Sequence, residues 1–595
     1  MSVQVVLVYN KANPFGIKRD AELIESMLVQ YNRSVAITFA KVKHADLLEP
    51  PMPCDLCIHL EIPCAVWMPF AHKNILMVNS EWWVPAWNSL LPKFDQVLTK
   101  IKTTDLSGST FVPWCAPESL AKQQPAATEL SAGCLWLLGG SKNKRDFAQV
   151  LLPLWKESYP SLTVYTTSNL DISGALPPNV SVKVSDLDSE ERWRLQRYYP
   201  VHVCASRSEG FGLAAAEAEA AGAFLILNNI DSYTSNFTGE HVAMLETPLA
   251  PHLKYTSARF ADLSGCETSL QAQLDAVFAR LATVDFKSVR EEQLESSKLR
   301  RVAFRQAMIP VLKKAAADVN DAKAAQKGNR HLPPALAGSD CPPISVVTLT
   351  YNRRKFIDLA FHNIVLTDYP KDKIEWVIVD DSNTPEEQIS DKVATFAKRA
   401  PCAQIVYVPL PRKHSIGYKR NLGVERSTND IILFMDDDDH YPETSFRRRV
   451  GWLTKHPWKP KVVGCATIAC YDLVKGLSAV NTPPWELSPG ERVSEATLTF
   501  YKSFWEAQKF PQVNSSEGEE FLKGREQDFL EIPPQQILVA FSHQGNSSGR
   551  RIPVPDDMKP GCFWGFPKEY LIWIHKLAGI EVEEEKEVKN TVRKR

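Results

Sequence analysis

No apolar run in the 595 residues reaches the roughly 18 that a membrane-spanning helix requires, so nothing in the sequence reads as a transmembrane segment. The start, MSVQVVLVYN, has neither a basic region nor a small-residue cleavage site, and it reads as a first β-strand. Net charge is also missing. The 69 Lys and Arg against 70 Asp and Glu leave −1, which argues against a general nucleic-acid binder. The twelve cysteines complete neither a zinc site nor a disulfide framework: Cys54 and Cys57 form one C-x-x-C, with no second pair to match it. A reducing, cytoplasmic compartment with most cysteines buried and free fits that scatter. The sequons at Asn32, Asn179, Asn236, Asn514 and Asn546 then carry no weight. No internal repeat of about 20–50 residues is evident.

What is present is an ordinary globular composition, 44% hydrophobic and 23% charged, on a chain too long for a single core. Short β-type runs (QVVLVYN, SVAITFA, DLCIHL, NILMVNS, FDQVLTK) alternate with helical stretches, the signature of a parallel sheet covered by helices. A second series starts near Ala116 with CLWLLGG, LTVYTT, VSVKVSD, VHVCAS and FLILNN, so two sheets are expected, facing each other across a cleft. The pattern predicts an α/β chain with units at 1–115 and 116–330, the latter closing with helices from about Ser269. HLPPALAGSDCPP forms a Pro- and Gly-rich linker at 331–343, a further α/β unit follows at 344–580, and 581–595 is a solvated charged tail.

Three strand ends after the linker carry polar groups: Thr350-Tyr351-Asn352, Asp380-Asp381-Ser382, and the run Asp436 to Asp439 in LFMDDDDHYP. Ligands of open α/β sheets bind beyond the carboxyl ends of the strands, and four adjacent carboxylates call for a positive charge among them. The first two ends suit a base and ribose, and the third suits a divalent cation. Asp380 has a second reading, as the cap of the turn that follows it.

TLTYNR, VIVDDSN, HSIGYKRNLGVERSTNDIILFMDDDD and EGEEFLKGREQDFLEIP together resemble the inverting glycosyltransferase family 2, over roughly residues 344–550. The resemblance implies a GT-A fold, a nucleotide-sugar donor and Mn2+ or Mg2+. It assigns Asp381 to the uracil, Asp436 to the ribose side and the metal, Asp438 to the metal as the D-x-D aspartate, and Gly417, Arg420 and Asn421 to the G-x-x-R-N segment near the nucleotide. A one-residue slip in the four-Asp run leaves Asp437 and Asp439 open. Direct displacement needs a base on the acceptor. The family's E-D motif falls on Glu519 and Glu520, with Glu520 preferred and Glu526 and Asp528 of REQDF as rivals. His543 is either a further metal ligand or a surface-loop histidine.

In RSEGFGLAAAEAEAAGAFLIL, Glu209 and Glu217 flank Gly210 and Gly212 at a turn between a strand and a helix starting near Leu213, a turn that admits close approach of a diphosphate. Lys142, Lys144 and Arg145 of GGSKNKRDF supply the matching charge. These features resemble the E-x7-E motif of glycosyltransferase family 4, over about residues 130–250. The resemblance implies a metal-free, retaining GT-B unit, with Glu209 near the transferred sugar, Glu217 near the ribose and Lys144 at the basic position. Upstream, Gly16 alone marks a glycine turn. The expectation is a bifunctional glycosyltransferase using UDP- or GDP-sugar donors and an oligosaccharide or glycoconjugate acceptor. The alternative is one active C-terminal transferase joined to a non-catalytic N-terminal module that binds sugar nucleotide or glycan.

Overall fold

The computed structural model describes residues 2–580 apart from 14–15, 33–37, 103–105, 107, 118–129, 173–174, 253, 256–257, 326–335, 400–401, 545, 547–560 and 563. The linker expected at 331–343 therefore falls partly outside the described residues, and the tail at 581–595 wholly so. The chain forms two units, Met1–Glu49 with Pro53–Arg330, and Pro50–Met52 with His331–Arg595.

The first unit holds two six-stranded sheets, parallel throughout. One contains β1 (Ser2–Tyr9), β2 (Thr38–Asp46), β3 (Cys54–Glu61), β4 (Ala71–Val78), β5 (Gln96–Thr99) and β6 (Thr110–Phe111) in the order β2-β1-β3-β4-β5-β6. The other contains β7 (Cys134–Gly139), β8 (Leu162–Thr166), β9 (Val180–Val184), β10 (Val201–Val203), β11 (Phe224–Asn228) and β12 (Val242–Leu245) in the order β12-β11-β10-β7-β8-β9. Helices cover both faces, which is why strands such as FLILN and CDLCIHL are nearly continuous apolar runs. A hairpin of β13 (Leu249–Pro251) and β14 (Arg259–Ala261) follows. The helix Phe286–Ala325 then packs against both sheets: Gln96 Nε2 reaches Val311 O at 3.2 Å in one half, and Arg300 Nε reaches Glu219 Oε2 at 2.7 Å in the other. Of the strand expected at SVAITFA, residues 34–37 lie outside the described residues and Thr38 onward belong to β2.

In the second unit, β15 (Ile344–Thr350), β16 (Ile374–Asp380), β17 (Gln404–Pro409) and β18 (Ile431–Phe434) are parallel. The sheet continues through β19 (Val462–Gly464), β22 (Thr499–Tyr501) and β23 (Phe529–Glu531) in the order β17-β16-β15-β18-β22-β19-β23, with β22 antiparallel to both its neighbours. A smaller sheet joins β20 (Ile468–Asp472), β21 (Leu477–Asn481) and β24 (Val539–Ser542) in the order β21-β20-β24. All twelve cysteines are free, and all but Cys402 and Cys562 are buried. Among the described residues no helix is long and apolar enough to cross a membrane.

Candidate active sites

In the second unit the neighbouring strands β16, β15 and β18 deliver their carboxyl ends to one edge of the sheet. Asn352, just past β15, takes a left-handed φ of 50°, a conformation that Asn tolerates better than most residues. Its N–H donates to Ser382 Oγ at 2.9 Å and its Oδ1 accepts from the Asn383 N–H at 3.0 Å. Asn383 Nδ2 donates to Tyr351 OH at 2.8 Å. Two strand ends distant in sequence are thus stitched into one polar rim, beside the buried Thr350.

Asp381 is fully buried. Its Oδ1 receives Lys419 Nζ at 2.7 Å and its Oδ2 receives the His414 N–H at 2.8 Å. Asp380 holds its own turn: its oxygens accept from Ser382 N–H (2.9 Å), Ile389 N–H (3.1 Å) and Tyr407 OH (2.7 Å).

The four aspartates after β18 divide by direction. Asp437 and Asp439 are fully buried. Arg353 Nη1 stands 2.9 Å from Asp437 Oδ1 and 2.8 Å from Asp438 Oδ2, so part of the positive charge among the carboxylates comes from the residue after Asn352. Burial works against the guanidinium, but Asp438 and Asp437 outweigh it and hold Arg353 well above its ordinary pKa. Burial pushes the Asp437 carboxyl up to about 6 against the pull of Arg353. Asp437 therefore acts as a counter-charge to Arg353. Asp439 Oδ1 accepts the Phe541 N–H at 3.0 Å.

Asp436, Asp438 and Asp439 each offer an oxygen within 4.8 Å of the others. An all-carboxylate donor set suits a hard divalent cation such as Mn2+ or Mg2+, and these are the residues that would hold it. His543 stands behind them, its Nε2 3.1 Å from Asp438 Oδ2 and its ring stacked on Phe356 at 4.3 Å; Asn546 Nδ2 reaches the same oxygen at 3.1 Å.

The helix Ile416–Arg426 carries the G-x-x-R-N residues, and two of the three serve packing. A Cβ on Gly417 would lie 1.7 Å from Pro511 O, and the Gly417 N–H donates to Val513 O at 3.0 Å. Asn421 Oδ1 accepts from Phe510 N–H (3.0 Å) and Trp505 Nε1 (2.8 Å), while its Nδ2 donates to Phe510 O (2.9 Å). Both residues clamp the 505–513 segment. Arg420 is buried, pairs through Nε with Glu517 Oε1 at 2.8 Å, and lies within electrostatic reach of Asp436 and Glu495.

The candidate bases separate in the same way. On the helix Glu517–Leu522, Glu520 is half-exposed and paired with Lys523 at 2.8 Å, Glu519 is partly exposed, and Glu517 is the buried carboxylate. Asp528 pairs with Lys461 at 3.3 Å, on the one-turn helix Glu526–Asp528. The first-choice Glu520 and its rival Asp528 are thus each held in an ion pair with a lysine. Glu495, Glu517, Arg353 and Lys419 were not singled out by sequence reasoning. Lys419 and Arg353 adjoin motif residues and were findable, whereas Glu495 in ERVSEATLTF carries no local signal.

In the first unit, Gly210 lets the Asn79 side chain approach closely: a Cβ there would stand 1.3 Å from Asn79 Oδ1. Gly212 has a φ of +96° and caps the helix Leu213–Ala220. Glu209 lies 3.4 Å from Lys144 Nζ, both largely buried, so the basic position already has an acidic partner. Arg145 turns to Ser168. Glu217 is buried and pairs with Arg19, from the helix Gly16–Asn32, and accepts from Gln196 Nε2 at 3.2 Å. Three further groups gather here from the ends of β3 and β4: Glu61 (φ 72°), Asn79 and Glu81. Burial and the Glu209 and Glu61 carboxylates push Glu81 up to about 8 against Lys144.

The second unit's geometry defines a class: an α/β sheet with a polar rim and a carboxylate cluster at its strand ends. Residues 345–477 match the family model described as Glycosyl transferase family 2, so this unit carries a family 2 glycosyltransferase domain. Poly(ribitol-phosphate) beta-N-acetylglucosaminyltransferase TarS of Staphylococcus aureus is 26% identical over 113 residues, 19% of this chain and 19% of that protein. The putative teichuronic acid biosynthesis glycosyltransferase TuaG of Bacillus subtilis is 26% identical over 112 residues, 19% of this chain and 42% of that protein. The chain therefore spans less than half the length of either relative. Among solved structures, mannosyltransferase PcManGT from Pyrobaculum calidifontis, in complex with GDP-Man and Mn2+, is 20% identical with a TM-score of 0.28, covering 35% of this chain and 59% of that one.

Proposed function

We propose that the protein is a glycosyltransferase whose second unit moves a sugar from a UDP- or GDP-sugar to a hydroxyl of a glycan acceptor, with inversion and with Mn2+ or Mg2+ held by Asp436, Asp438 and Asp439. The observation that carries this reading is the trio of oxygens within 4.8 Å at the end of β18, inside the family 2 segment and beside the rim of Thr350, Tyr351, Asn352 and Asp381. When bound, the cation would offset the charge of the donor diphosphate. Asp381 and Lys419 shape the base end of the site, His543 and Asn546 orient Asp438, and Arg353 balances the carboxylates. A donor screen on the full chain tests the proposal: transfer or donor hydrolysis should require a divalent cation and should vanish in Asp438→Asn. Full activity in excess chelator would sink it.

The two parallel sheets of the first unit and the turn at Gly210 and Gly212 support a GT-B-like reading for that unit, with Glu209 beside a transferred sugar. One observation favours the second reading, a non-catalytic binding module: Lys144 is already paired with Glu209, and Glu217 with Arg19. Glu209→Gln in an Asp438→Asn background separates the two. A residual, chelator-resistant transfer that falls with Glu209→Gln supports a second reaction; no residual transfer, with sugar nucleotide still bound, supports the module.

A further inference from the structure

Of the carboxylates expected as bases, Glu520 and Asp528 are tied to lysines. Glu495 opens the one-turn helix Glu495–Thr497 on the connection into β22 and is only partly exposed. Its Oε1 accepts the Gly518 N–H at 3.0 Å, and a Cβ on residue 518 would stand 3.0 Å from that same oxygen. The glycine thus leaves its own side-chain space to a carboxylate supplied by another segment. Two devices hold that segment against the end of β18. Tyr441 OH donates to Ala496 O at 3.1 Å and accepts the Asp436 N–H at 2.9 Å. The buried Arg449 guanidinium ties Phe434 O (2.9 Å) to Leu498 O (2.6 Å) and Thr499 Oγ1 (2.8 Å). Glu495 is therefore one residue from a backbone oxygen that a single hydroxyl connects to the first aspartate of the cluster.

The charged groups facing Glu495 are Glu517, on the helix Glu517–Leu522, and Arg420, on Ile416–Arg426. Burial first, and then Glu517, raise the Glu495 carboxyl, while Arg420 pulls it down. Glu517 is committed to Arg420 and almost wholly buried, so of the two carboxylates Glu495 is the one with access.

We infer that Glu495 is the general base of the second unit. Resting on the transferase reading above, the step is this: the Glu495 carboxylate takes the proton of the acceptor hydroxyl as its oxygen bonds to the anomeric carbon. The bond from that carbon to the donor phosphate breaks, and the nucleoside diphosphate departs with the electron pair. The test uses the full chain and its Glu495→Gln, Glu495→Asp and Glu520→Gln variants, measuring sugar transfer beside metal-dependent binding of the nucleoside diphosphate.

Transfer by Glu495→Gln should fall roughly 10²–10⁴-fold with nucleotide binding within about twofold of the parent, and its kcat/KM should lose the acidic limb of the pH profile. Glu495→Asp should restore part of the rate. Parent-level transfer by Glu495→Gln overturns the inference, as does loss of transfer in Glu520→Gln alone. A Glu495→Gln variant that loses nucleotide binding together with transfer makes the residue structural, which also overturns it. A parent that neither binds nucleoside diphosphate nor transfers sugar refutes the transferase reading itself, and is seen before any variant is made.

Discussion

His543 is a loop residue whose ring is pinned between Phe356 and Asp438, and such fixation lets an imidazole orient a ligand carboxylate. Losing an orienting partner of this kind typically weakens a metal site about 10–100-fold. His543→Ala should therefore shift the Mn2+ requirement for nucleotide binding upward by about that factor while the protein melts as before; an unmoved Mn2+ titration would assign the ring to packing alone. At this scale the sequence was readable where neighbours in the chain are neighbours in space. The carboxylate run announced a cationic partner, and Asn352 marked the turn. Arg353 went unread because its partners lie 84 and 85 positions along the chain, across the β15–β18 pairing.

Among the elements, the helix Ile416–Arg426 governs how the 505–522 stretch approaches the site. Gly417 and Asn421 bind its first part and Arg420 binds Glu517. Gly417→Ala forces a methyl into the Pro511 carbonyl, backbone that cannot rotate aside, so the cost should be about 1–3 kcal/mol or more. Thermal melting and transfer should both suffer, transfer the more, since displacing the stretch pulls Glu517 from Arg420 and the Gly518 N–H from Glu495. A variant with unaltered melting and rate would show that the segment relaxes freely. The motif G-x-x-R-N was visible in the sequence, but which of its residues face the site was not, because that depends on a strap about 90 residues later.

For the whole molecule, the first unit makes a separate statement about pH. Glu81 is raised from an ordinary 4.5 to about 8, so between those values the native state keeps a proton that the unfolded chain has released. Stability present below this window is lost as pH rises through it, on the order of a few kcal/mol at most for a partly accessible group with charged neighbours. Glu81→Gln mimics the protonated form, so the parent should lose melting temperature relative to the variant between about pH 5 and about pH 8. Parallel pH curves would remove Glu81 from the cluster's proton balance.

The alternating apolar runs and helical stretches were enough to determine an α/β chain with parallel sheets, because strands buried on both faces need continuous Val, Ile and Leu, and FLILN or ISVVTLT can satisfy little else. The ordered motifs around TYN, DDS and DDDD were likewise enough to point to the strand-end rim and its family. Only the tertiary structure decided which carboxylates are engaged in turns and ion pairs and which face the site. Asp380, Asp437 and Asp528 are each committed by partners from another segment, Glu520 by Lys523 one turn along its own helix, and the segment of Glu495 is held against the end of β18 by Tyr441 and Arg449. Chain order specifies a carboxylate's chemistry, whereas its direction is set by packing between residues far apart in sequence.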